Sequence, residues 1–235
     1  MRRARLTIPE LLDKLEKFYG KREACWPLDP YEFIVWWNCG YPASDAACAK
    51  GWDKLRREVG IELHKLLEAS PARLASALKP GGLVPEIRAL RLKEIAIRVK
   101  DEFGGDVRGA LAGRLSDARR NLKKFPGIAD PGADRILLFG GMTPIAAVPS
   151  NSTQVLARIL YGQEEKNYVV NYRKAQQAIG AEVMETFDAR TRAYLLLKHH
   201  GQETCKRTSP KCQTCPVSSN CAYFAGHRRR SMHGQ

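Results

Sequence analysis

Four of the chain's seven cysteines fall within the seventeen residues "CKRTSPKCQTCPVSSNC", at positions 205, 212, 215 and 221. Thiols crowded in this way either pair as disulfides or wrap one inorganic centre, so this stretch constrains the fold more than any other. After Met1-Arg2-Arg3-Ala4-Arg5 there is no apolar stretch of signal length, and no run of about 18 apolar residues could span a membrane. The chain reads as cytoplasmic, where thiols stay reduced and clustered cysteines more often bind metal than pair. With 235 residues and 44% hydrophobic composition it can bury a core without a disulfide staple. Structural zinc sites usually take two CxxC-like knuckles a dozen or more residues apart, often with histidines. Here Cys212 and Cys215 form one such pair, flanked at short range by the single Cys205 and Cys221. That spacing favours a cubane cluster held by four thiolates and leaves zinc as the alternative. Cys25, Cys39 and Cys48 lie far off among apolar residues and read as buried free thiols.

The C-x6-C-x2-C-x5-C spacing, following "KHHGQETC" and followed by "AYF", resembles the cluster loop of the endonuclease III-like family of DNA glycosylases, which carry a C-terminal [4Fe–4S] cluster. Two further stretches extend the resemblance over nearly the whole chain. "FPGIADPGADRILLFGG" (125–141) is similar to the family's helix–hairpin–helix, usually written LPGVG followed by a helix of small residues. "DPYEFIVWWNCGYPASDAACAK" looks like its first barrel helix and damage-site loop, aligned without a gap from Pro30 to Asp45.

The rest of the chain reads as helices. "IPELLDKLEKFY" (8–19) has helical periodicity with Pro9 in its first turn, and Asp29-Pro30 is an N-cap followed by proline at the first helical position. Further helices are predicted over 44–60, 70–82, 84–105, 115–124, 131–139, 152–161, 166–179 and 184–200, with no strand-like alternation of useful length. The tail "HRRRSMHGQ" reads as disordered. The fold class is therefore all-α. The resemblance implies a two-lobed helix–hairpin–helix glycosylase fold: a six-helix barrel lobe over 29–145, and a cluster lobe formed by 1–28 with 146–235. DNA would lie in a basic cleft between the lobes.

The net charge of +14, with 39 Lys and Arg against 25 Asp and Glu, predicts attraction to a polyanion, most commonly nucleic acid. Lys206, Arg207 and Lys211 lie inside the first cysteine loop, and a centre that fixes this loop would make them a phosphate clamp rather than a solvated surface. The hairpin would hold a phosphate on backbone N–H groups at a helix N-terminus. This marks Gly127, Ile128, Ala129 and Gly132 as DNA-binding candidates. The resemblance implies as partner a double-stranded DNA that is damaged or carries a flipped base. It also implies a monomer, cytoplasmic or nucleoid-associated in a bacterium.

The chemistry departs from the family at three prolines. The position of the family's catalytic lysine is Pro131, that of its catalytic aspartate is Pro149, eighteen residues on, and that of its hole-filling glutamine is Pro42. Proline supplies no nucleophile, carboxylate or side-chain amide, so the Schiff-base route to strand cleavage is closed unless another amine, such as Lys123 or Lys124, takes over. Asp130 and Asp134 are the candidate replacement acids. The first also reads as a helix cap and the second as solvent-facing, one turn into the helix. Tyr41, beside Pro42, is placed to wedge or stack on a base, or to fill a core. Two functions follow: a monofunctional base-excision DNA glycosylase with a non-standard site, or a non-catalytic protein that recognises damaged or distorted DNA.

Overall fold

The computed structural model describes residues 6–150 and 152–226. The predicted tail from His227 onward and Asn151 lie outside them. Eleven α-helices of at least four residues and several short 3-10 turns make up the described residues, and no strand is found among them. The all-helical expectation holds.

The chain divides into two compact units: Met1–Glu23 with Pro144–Gln235, and Ala24–Thr143. In the first, helix α1 (Ile8–Tyr19) begins in a reciprocal capping box. The Thr7 hydroxyl accepts from the Glu10 backbone, and the Glu10 carboxylate accepts from the Thr7 N–H at 2.9 Å. The apolar stripe of α1, Ile8, Leu11, Leu12 and Leu15, is buried in a core shared with α9 (Thr153–Leu156), α10 (Tyr168–Glu182) and α11 (Phe187–Glu203). Each such side chain contributes about 1.5–3 kcal/mol by leaving water. Val217 and Cys221 are buried in the same core, with Cys205, Cys215, Tyr223 and Phe224 packed against it, so the cysteine segment is part of this core. A π-helical turn, Ala157–Tyr161, continues α9.

The second unit holds α2 (Pro30–Asn38), α3 (Asp45–Glu58), α4 (Leu63–Glu68), α5 (Pro71–Leu78), α6 (Pro85–Phe103), α7 (Leu115–Leu122) and α8 (Asp130–Phe139). Side chains of Asp29, Ser44 and Ser70 cap α2, α3 and α5, as their positions in the sequence predict. Helix α4 is an addition to the elements read from periodicity: it is six residues long and Glu62 offers it no side-chain cap. Cys39 and Cys48 are buried as expected, but Cys25 is exposed, because it lies in a helix-free stretch before Trp26.

Candidate nucleic-acid interface and cysteine cavity

In the second unit, α7 and α8 are joined by Lys123 to Ala129, the predicted hairpin. Its turn depends on Gly127, whose φ is +74°, in the left-handed region. A side-chain carbon there would also stand 3.3 Å from the Tyr41 ring and 3.4 Å from Trp37 Nε1. Helix α2 grips the turn by its carbonyls: Trp37 Nε1 donates to Gly127 O at 3.0 Å and Asn38 Nδ2 to Pro126 O at 3.1 Å. Phe125 and Ile128 are buried and anchor the turn, whereas Gly127 and Ala129 are exposed. Ile128, named as a DNA contact from the sequence, therefore serves as the hairpin's apolar foot; its N–H is donated to Phe125 O at 3.2 Å. Gly132 is half-buried, within the first turn of α8 and close to Ile128.

The two candidate acids occupy opposite environments. Asp134 is fully buried, not solvent-facing as expected, because its carboxylate meets Arg119 Nε of α7 at 2.7 Å and ties the two arms of the hairpin together. Asp130 is open to solvent and pairs with Lys123 at 2.8 Å. It stands inside the first turn of α8, with Ala129 as the capping residue, so the expected cap is displaced by one residue. Pro131 follows in that first turn and is half-buried, while Pro149, in the other unit, is buried.

Two apolar loops stand at the C-terminal end of α2. One carries Tyr41, stacked on Trp37 at a ring separation of 4.6 Å, and the exposed Pro42. The other, Gly82-Leu83-Val84, carries Leu83 with 89% of its surface exposed. A side-chain carbon on Gly82 would lie 3.7 Å from Ala43 Cβ, so the loops are neighbours. Sequence reasoning misses Leu83, though a Leu-Val pair between two glycines and a proline has no amphipathic reason to be apolar.

In the first unit, Cys205, Cys212, Cys215 and Cys221 all line one small cavity, with Arg158, Ile159, His200 and Tyr223 among its walls. Burial pushes the Cys205 and Cys215 thiols up to about 11, and raises that of Cys212. Polar groups approach the sulfurs: Arg158 Nη1 lies 4.0 Å from Cys205 Sγ and His200 Nε2 lies 3.9 Å from Cys215 Sγ. Arg158, nearly buried, also donates to the carbonyls of Lys206 at 2.7 Å and Arg207 at 3.0 Å, which fixes the first cysteine loop. Of the basic side chains on that loop, Arg207 and Lys211 are exposed and Lys206 is half-buried. Among the described residues, no three His, Cys, Asp or Glu side chains converge closely enough to hold one metal ion. A single zinc ion would need thiolates about 3.8 Å apart, since each bond is about 2.3 Å in a tetrahedron. Four thiols lining one cavity are the donor set for a centre held by four thiolates, a [4Fe–4S] cluster or, drawn together, zinc.

No family model matches the chain. Endonuclease III of Thermotoga maritima is 22% identical over 202 residues, which cover 86% of this chain and 85% of that protein. Among solved structures, a trapped covalent endonuclease III–DNA intermediate superposes with a TM-score of 0.74 at 18% identity, covering 95% of this chain and all of the other. A thermostable thymine-DNA glycosylase reaches 0.71 at 19% identity, covering 93% and 97%. No helix among the described residues is long and apolar enough to cross a membrane. Over most of both chains the sequence is similar to that of endonuclease III, and the fold is the helix–hairpin–helix glycosylase fold.

Proposed function

We propose that the protein binds double-stranded DNA and acts as a base-excision DNA glycosylase without lyase activity. The observation that carries this reading is the glycine turn of the hairpin, whose backbone faces solvent at the N-terminus of α8 beside two loops tipped by the apolar Pro42 and Leu83. A helix N-terminus behind such a turn holds a phosphate without reading sequence. Apolar side chains on adjacent loops are the usual means of parting a base step. The relatives' names support DNA as the partner and a glycosylase-type activity: endonuclease III, an endonuclease III bound to DNA and a thymine-DNA glycosylase.

The residues at the family's catalytic positions shape the chemistry. Pro131 offers no amine, and Lys123 and Lys124 are paired with Asp130 and Glu102, so no imine forms with the sugar and base release is hydrolytic. The bond between the base and its sugar carbon breaks, water's hydroxyl bonds to that carbon, and water's other proton ends on the departing nucleobase, directly or relayed by a carboxylate. The products are a free base and an abasic site. Asp130 is the acid with solvent access, while Asp134 is held by Arg119 as a strut.

Cys205, Cys212, Cys215 and Cys221 would hold a [4Fe–4S] cluster. When bound, it supplies a clip that fixes a loop of low apolar content. The exposed Arg207 and Lys211, with Lys206, would then bind phosphates. A brown protein absorbing near 400 nm bears this out, and a colourless protein with stoichiometric zinc contradicts it.

The activity is tested with duplexes carrying uracil, oxidised or alkylated bases. Strand breaks appearing only after alkali, with no borohydride-trapped adduct, bear the reading out. Breaks without alkali, or a trapped adduct, overturn it. The buried Pro149 supports the second reading, a non-catalytic lesion binder. Tight binding with no base released from any lesion would select it.

A further inference from the structure

We propose that Arg88 is a positioning residue that locks the Pro42 loop to the Leu83 loop, so that both apolar side chains enter a duplex as one wedge. The proposal rests on the reading that these loops part the bases. Arg88 lies on α6 and only 1% of its surface is exposed. Its guanidinium makes three bonds, all to backbone carbonyls. Nη1 donates to Cys39 O at 2.5 Å, and Nη2 donates to Leu78 O at 3.1 Å and Gly82 O at 2.6 Å. Cys39 caps the C-terminus of α2, two residues before Tyr41, and Gly82 immediately precedes Leu83. One planar fork therefore joins the root of each loop to the other.

A buried cation is costly unless it is solvated by the protein. Cys39 and Leu78 stand at the C-terminal ends of α2 and α5, where unpaired carbonyls and the helix dipole favour positive charge. The backbone crowds the same point. A side-chain carbon on Gly81 would overlap both the Cys39 carbonyl and the Arg88 guanidinium, and one on Gly51 would press on Cys39 O from α3 at 2.5 Å. The next residue but one after Gly82 is Val84, held at φ +49°, a left-handed conformation a β-branched side chain adopts only when its surroundings dictate it. The Arg88 bond to Gly82 O is such a constraint, and it leaves Leu83 projecting at the turn.

The test uses the full chain and a duplex containing 2-aminopurine, whose fluorescence rises when the base is unstacked. Arg88→Lys keeps the charge but cannot reach three carbonyls at once. This variant should keep a cooperative unfolding transition and its affinity for the intact duplex, while most of its fluorescence enhancement is lost. Leu83→Ala should lose the enhancement likewise. If the unmodified protein gives no enhancement, or Leu83→Ala retains it, the wedge reading itself fails. If those two behave as expected and Arg88→Lys retains full enhancement, only the role of Arg88 is overturned. Should Arg88→Lys fail to fold, hydrogen exchange on the unmodified protein decides. Amides of Gly40, Tyr41 and Ala43 and those of Gly82, Leu83 and Val84 should open at one common rate, and rates differing by more than about tenfold would overturn the coupling.

Discussion

Two nearly buried arginines fix two loops in this molecule, and they do so on different terms. Arg88 in the second unit donates only to carbonyls, two of them at helix C-termini, so its loops are held by the polypeptide alone. Arg158 in the first unit donates to the carbonyls of Lys206 and Arg207, but it also pairs with Glu164 at 2.6 Å and stands 4.0 Å from the Cys205 sulfur. The loop it holds is bounded by thiols lining a cavity. One pair of loops is fixed by backbone carbonyls; the other loop is built around four thiols that would share an inorganic centre. The units should therefore differ most in how they respond to losing one ligand.

That difference has a direct readout, since Trp26, Trp36, Trp37 and Trp52 are the chain's only tryptophans and all lie in the second unit. Cys212→Ser should discharge the centre and destabilise the first unit by on the order of 5 kcal/mol or more, the scale on which structural metal sites couple to folding. Helical circular dichroism should fall and iron should be lost, while the tryptophan fluorescence transition stays where it was. A variant that keeps full helicity without metal would show that the first unit is as self-sufficient as the second.

Within the second unit, the largest effect should come from the strut of the hairpin. Asp134→Asn leaves Arg119 facing a neutral amide and should cost about 2 kcal/mol, less than for a fully enclosed pair because the Arg119 side chain keeps 29% of its exposure. Tryptophan fluorescence in urea measures this. Gly127→Ala comes next, at about 1–2 kcal/mol for forcing a side chain to φ +74° against the Tyr41 ring. It should weaken binding to every duplex alike, since it distorts the turn proposed to meet the phosphate backbone.

What the sequence revealed and what it hid follow one rule. Features fixed locally could be read directly: Pro9 stands in the first turn of α1, Asp29-Pro30 opens α2, and cysteine spacing alone marks the residues that share a cavity. Features fixed at long range could not. Arg88 and Asp134 are charged residues on helices, and periodicity assigns such residues to solvent until a partner 49 residues away, Cys39, or 15 residues away, Arg119, is known. Leu83 was hidden for the opposite reason. An apolar residue in a loop reads as buried, and nothing local shows that it projects.

The first cysteine loop offers a smaller effect, on affinity alone. Charge reversal at Lys206, Arg207 and Lys211 should weaken binding to all duplexes similarly. It should also flatten the dependence of log K on log salt by about 0.9 for each phosphate that is no longer neutralised. A loss confined to one sequence or lesion would mean that this loop reads bases, unlike the hairpin.

The smallest effect belongs to Asp130, and its sign matters more than its size. Its carboxylate stands in the first turn of α8, where the helix dipole stabilises it and where the proposed phosphate must approach. Lys123 neutralises it at 2.8 Å, but both side chains are about half exposed, so the pair screens the charge only in part. Two unit charges about 6 Å apart in water repel by roughly 0.7 kcal/mol, which corresponds to about a threefold change in affinity. If Asp130 is only a charge at the hairpin, Asp130→Asn should bind duplex DNA about threefold more tightly and leave base release unchanged. If Asp130 has replaced the family's catalytic acid, the same variant should bind as tightly or more so while base release falls by about 10²–10⁴-fold. Alkali-revealed breaks measured at saturating protein separate these outcomes. They decide whether the hairpin of the second unit only grips DNA or also carries its chemistry.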